Sequence, residues 1–146
     1  MADEIKVGVY CAADDEIKNS LDLDALENVA LKEAKAALFK THEHISSAEG
    51  VALIKEDIEK EGLHRIVVMD RSPRAYPGLF DFGPEIMVDC VALRELVVWS
   101  HDPNDEDTQM LAEDYVRMYV AKTAKVKLPE EDKPEVVNTV LVIGGG

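Results

Sequence analysis

Residues 66–69 (IVVM) are apolar at every position, mostly β-branched, and follow directly on an amphipathic helical segment. A strand that is apolar on both sides must be covered on both faces, which is the situation of parallel strands sandwiched between helices. Residues 5–11 (IKVGVYC) carry the same signal near the N-terminus, bounded by Asp/Glu on one side and Ala-Ala-Asp-Asp on the other. Two such runs with helical pattern between them predict a three-layer α/β domain with a mostly parallel, Rossmann-like sheet of about four strands and flanking helices.

The remaining elements are placed around these two. Residues 24–31 show Leu26, Val29 and Ala30 at helical spacing, with Asp22 or Asp24 available as the N-cap. Residues 34–39 are expected to be a second strand, although alanine and lysine are poor strand formers. Ser46-Ser47-Ala48-Glu49 reads as a capping box. Behind it Val51, Ile54 and Ile58 recur on one helical face, and Gly62 marks a left-handed stop. Residues 85–91 are a fourth strand candidate, and residues 93–101, with Trp99, a short helix or extended segment. Residues 104–125 predict a long helix facing inward with Leu111, Tyr115, Met118 and Tyr119, its positive end carrying Asp105, Glu106 and Asp107. Residues 127–135 hold two prolines and many charges without apolar periodicity, the pattern of a linker.

A chain of 146 residues buries roughly two thirds of its unfolded surface, so neither disulfide nor metal is required for folding. Its net charge of −14, from 30 acidic and 16 basic residues, repels phosphate backbones and anionic lipid, which argues against nucleic-acid and membrane partners. The longest apolar stretches fall far short of the roughly 20 residues of a bilayer span. The N-terminus lacks a basic region and a long apolar region, so a cytoplasmic location is expected. In a reducing compartment Cys11 and Cys90 are expected to be free thiols.

Several side chains could carry chemistry. Arg71 and Arg74 bracket Ser72-Pro73 directly after the IVVM strand, where open α/β sheets place functional loops, and two guanidiniums there could hold a carboxylate or phosphate. The competing expectation is that they pair with the many acidic side chains. Arg94 and Glu95 are expected to form an internal ion pair. His42 and His44 could chelate a metal with Glu43 or His101, but solvated loop histidines are the simpler expectation. Tyr76, Phe80, Phe82 and Trp99 are read either as an exposed patch or as core. Cys90 is expected to be structural, and Cys11 either a buried hydrophobe or a metal ligand. No catalytic residue is assigned.

Residues 139–143 (TVLVI) are a strong strand signal running into Gly144-Gly145-Gly146, the opening of a dinucleotide fingerprint. With the third glycine, the helix and the downstream acid absent, no bound dinucleotide is expected at these three glycines.

The ordered motifs resemble the A subunit of heterodisulfide reductase, in its sulfur-oxidiser and quinone-interacting oxidoreductase branch. The carrying stretches are residues 49–62, Ser72-Pro73-Arg74, Phe80-Asp81-Phe82-Gly83-Pro84, Leu93-Arg94-Glu95, Val97-Val98-Trp99, residues 103–108 and residues 141–146. The resemblance implies an electron-transfer flavoprotein of sulfur metabolism with other heterodisulfide reductase-like subunits as partners, a homodimer being a further candidate. It implies FAD on a domain starting near Asn138 and a four-iron four-sulfur cluster in the N-terminal domain. On that reading residues 1–126 are an N-terminal accessory domain, 127–137 a linker, and 138–146 the first strand and glycine turn of an FAD-binding domain cut short. The family's cysteine positions here read Cys11, Ser46 or Ser47, Arg71 and Ser100. Hydroxyls and a guanidinium cannot replace thiolates on iron, so a cluster-free accessory domain is expected, with no cofactor in this chain. The alternatives are an electron relay binding a cluster or metal through Cys11 with other ligands, and a small-anion module at Arg71 and Arg74.

Overall fold

The computed structural model describes residues 4–130, 132–135 and 137–145. Strands β1 (Val7–Ala12), β2 (Leu38–His42), β3 (Arg65–Met69) and β4 (Met87–Val91) form a parallel sheet in the order β2-β1-β3-β4. Helices are α1 (Asp15–Ser20), α2 (Leu23–Asn28), α3 (Ala48–Glu61) and α4 (Glu106–Lys125). Among the described residues no helix is long and apolar enough to cross a membrane.

Register fixes the two faces. Val9, Val67 and Asp89 are partners across β1, β3 and β4, and Asp89 meets Lys122 of α4 at 2.6 Å. Tyr10, Val68 and Cys90 point the other way, and the Tyr10 hydroxyl donates to Asp57 of α3. Strands β1 and β3 are buried at every position, each large apolar side chain contributing roughly 1.5–3 kcal/mol.

Local chemistry explains the element boundaries. Ser47, one residue later than the expected box, caps α3 by accepting from Gly50 N, and Gly62 ends it at φ 63°. Gly50 is required by close approach, since a Cβ there would lie 2.2 Å from the Ile45 carbonyl oxygen. The second strand begins at Leu38 rather than Ala34: Lys35 takes φ 62°, which breaks an extended run before the sheet is reached. Helix α1, capped by Asp14, lies in a stretch that carries too few apolar residues to announce itself. A π-helical turn, Val29–Glu33, extends α2, and a second one, Arg94–Val98, follows β4. Helix α4 turns Ala112, Val116 and Val120 to the core; Leu111, Tyr115 and Tyr119 flank that stripe, and Met118 is half exposed, contrary to the expected face.

No strand forms at residues 139–143. Val140, Leu141, Val142 and Ile143 are each about four-fifths exposed or more, because a strand needs a neighbour to satisfy its backbone and none is adjacent among the described residues.

Candidate functional site

The chain order reverses between β1 and β3, and in open α/β sheets this switch point, at the carboxyl ends of the strands, is where ligands bind. Here that crevice is occupied by a side chain of the protein. Arg94, first residue of the π turn after β4, reaches back with a side chain only 6% exposed. Its Nε donates to Asp70 Oδ1 at 2.7 Å, its Nη2 to Asp14 Oδ2 at 2.5 Å and its Nη1 to Glu16 Oε2 at 2.7 Å.

Two elements present the three carboxylates, the start of α1 with Asp14 and Glu16 and the end of β3 with Asp70. Asp14 caps α1 through Ile17 N, and Asp70 follows β3 with its backbone paired to Val91 O and Arg94 N. Asp70 Oδ2 also accepts from the Tyr76 hydroxyl at 3.0 Å. Burial pushes the Asp14 carboxyl up, but hydrogen bonds and charge from Arg94 outweigh this and hold it below the usual carboxylate range. Burial alone would lower the Arg94 pKa, yet the surrounding carboxylates raise it, so the guanidinium stays charged.

The clamp ties down the neighbouring rim. Glu16 Oε1 accepts from the Trp99 indole at 3.0 Å, and the Arg71 guanidinium sits 5.8 Å over the Trp99 ring. Glu95 does not pair with Arg94 as expected. It points to the β3 loop, where Oε1 accepts from Ser72 N at 2.9 Å while the buried Oε2 has no hydrogen-bond partner among the described residues. Adjacent residues on a helix point in different directions, so neighbours in sequence make poor ion pairs. Sequence reasoning missed the clamp; its one signal was an aspartate closely following each of the first and third strands.

The other predicted residues scatter. Cys11 is fully buried on the α4 face, donates to the Ala12 carbonyl oxygen, and is pushed up to about 12 by burial. Cys90 lies on the opposite face, half-buried and pushed up to about 11 by burial. Ser47 caps α3, Ser46 is half-buried beside it, and Ser100 is exposed and hydrogen-bonded to His101. With Arg71 they mark loops at the carboxyl edge of the sheet. Arg71 and Arg74 are both exposed, and among the described residues neither has a carboxylate partner, against the simpler expectation. His42 Nδ1 accepts from His44 N, and among the described residues no group of three His, Cys, Asp or Glu could hold a metal. Tyr76 and Phe80 pack edge to face and Phe82 rests on the core, leaving Trp99 as the exposed aromatic, 52% accessible. Gly144 and Gly145 lie in solvent at φ 104° and 116°; Gly146 lies outside the described residues.

A second buried polar group, equally missed, sits on the α3 face: Asp57 accepts from Tyr10 at 3.1 Å and from Lys40 at 2.7 Å.

No protein-family model matches the chain. It is 32% identical to the A subunit of the H2:CoB-CoM heterodisulfide,ferredoxin reductase of Methanothermobacter marburgensis, over 99% of its own length and 23% of that protein. It is 30% identical to the second iron-sulfur A subunit of the CoB–CoM heterodisulfide reductase of Methanopyrus kandleri, with the same coverage. With the A subunit of the ferredoxin:CoB-CoM heterodisulfide reductase of Methanosarcina mazei it shares 29% identity over 97% of the chain and 19% of the relative. The chain thus spans about a quarter or less of the curated relatives it matches, and over nearly its whole length it matches a segment of the heterodisulfide reductase A-subunit family.

Proposed function

We propose that this chain is a cluster-free accessory domain of an electron-transfer flavoprotein like the A subunit of heterodisulfide reductase, making interdomain or intersubunit contacts. The family match supports the setting, and one observation carries the cluster-free reading. An ordinary iron-sulfur cluster is held by four thiolates. The two thiols of this chain lie on opposite faces of the sheet, Cys11 in the row that runs through Met69 to Val91 and Cys90 in the row that runs through Val68 to Tyr10, so they cannot meet on one cluster. Cys11 is moreover sealed from solvent and stabilised as a neutral thiol. These residues do not fit a cluster, and no electron-transfer step is assigned to them.

The sequence of residues 138–146 is read as that of the first strand and glycine turn of a nucleotide-binding unit, a strand that has no neighbour to pair with among the described residues; the positive φ of Gly144 and Gly145, which a tight turn needs, supports the turn. A pyrophosphate also needs a helix N-terminus, which the described residues do not place there, so these glycines alone do not fit a dinucleotide. Other subunits of heterodisulfide reductase-like complexes are the proposed partners.

The test is iron, acid-labile sulfide and the visible spectrum of protein purified without oxygen. A folded, colourless, iron-free protein is expected. Stoichiometric iron and sulfide with a broad visible band would overturn the reading, and their loss in Cys11→Ser would make Cys11 a ligand.

A further inference from the structure

Two exposed guanidiniums follow β3 at the rim of the sheet. The chain carries −14, and several of its cations form ion pairs, Lys40 with Asp57, Lys60 with Glu56, Arg117 with Glu33 and Asp114, and Lys122 with Asp89, whereas among the described residues Arg71 and Arg74 have no carboxylate partner. In the clamp Arg94 engages Asp14, Glu16 and Asp70, and Glu95 Oε1 accepts from Ser72 N, so four carboxylates of this rim are held by groups other than the two exposed guanidiniums.

The same loop is fixed in place. The Tyr76 hydroxyl accepts from Arg71 N at 2.9 Å, Ser72 Oγ from Arg74 N, and Trp99 is pinned at its indole nitrogen by Glu16 while Arg71 covers its ring. Half-exposed Trp99 lies under Arg71, and two-fifths-exposed Leu96 belongs to the same turn after β4. Arginine and tryptophan are the side chains that most often anchor protein interfaces, and a pre-ordered loop loses little entropy on docking.

We propose that Arg71, Arg74 and Trp99 form a docking face for an acidic segment of a partner protein, its carboxylates pairing with the two guanidiniums. This rests on the contact role proposed above and specifies its face. At ordinary ionic strength charges beyond about 8–10 Å are screened, so the local guanidiniums, not the net charge, govern a short acidic segment.

Trp99 is the single tryptophan, so its fluorescence reports this face alone. Intact protein is titrated with hexaglutamate, with hexalysine and inorganic phosphate as separate arms, at low and high salt. The expected result is a saturable change with hexaglutamate, suppressed at high salt and weakened about fivefold in Arg74→Gln, a surface change that leaves Arg71 over the indole. Hexalysine should give none. The proposal is overturned by no response to hexaglutamate, by a response unchanged in Arg71→Gln/Arg74→Gln, or by phosphate acting as well as the peptide, which would make this a small-anion site. Iron content is untouched by any of these outcomes, so the accessory-domain reading stands or falls separately.

Discussion

The switch-point clamp and the segment at residues 139–143 invert the usual rule of inside and outside. Four charged side chains meet at the clamp with Arg94 and Asp70 almost fully buried, while five consecutive apolar or β-branched residues stand in solvent. The difference lies in partners. Arg94 offers a fork of donors that three carboxylates accept, two from the start of α1 and one from the end of β3. The 139–143 run has the right residues for a strand and, among the described residues, no strand beside it. Burial follows available partners before it follows polarity.

The largest effect expected from breaking this contrast is that of Arg94→Met. It leaves Asp70 and Asp14 charged and uncompensated in a dry crevice, at a cost of about 3–5 kcal/mol in urea unfolding. Arg94→Lys should recover part of that, because a lysine meets one carboxylate well but not three. A loss under about 1 kcal/mol in Arg94→Met would mean that water reaches the crevice and the clamp adds little.

Tyr10→Phe sharpens the comparison within the buried polar groups. Asp57 keeps Lys40, so only one hydrogen bond is lost and the cost should be about 1 kcal/mol. A cost as large as that of Arg94→Met would place the two networks on a par.

Acid should loosen the clamp next. The folded-state pKa of Asp14 is lowered, so its contribution is complete above the unfolded value, about 3.9, and is lost as pH falls from there through the folded value. Stability measured by urea unfolding should therefore decline below about pH 4, and Asp14→Asn should flatten that decline. An unchanged slope in the variant would assign the acid sensitivity to other carboxylates.

The smallest effect belongs to the other side of the contrast. Deleting residues 137–146 should change unfolding free energy by less than about 0.5 kcal/mol, since the apolar side chains described there stand in solvent. A larger loss would show that the run finds a surface on the domain.

The sheet was readable because burial on both faces writes itself into successive residues, as in Arg65–Met69, and α3 because its caps are local. Helix α4 was placed but turned, since the reading favoured bulk over position: the small residues Ala112 and Val116 sit nearest the sheet. The clamp was not legible, because Arg94 lies 80, 78 and 24 positions from its partners and no periodicity records pairings at such distances. The π turn that aims Arg94 is likewise invisible, as it differs from an α-helical turn by a single residue of slack.

The position of β1 in the sheet also sets an order of assembly. It is the first of the four strands to be made, yet its neighbours are β2 and β3, and the Val7 to Arg65 pairing closes a long loop of chain. During synthesis this apolar strand waits without its second neighbour until β3 has emerged, so the first strand written is completed only when the third appears. Folding should accordingly be slow for the size of the chain, with nascent β1 its most vulnerable stretch.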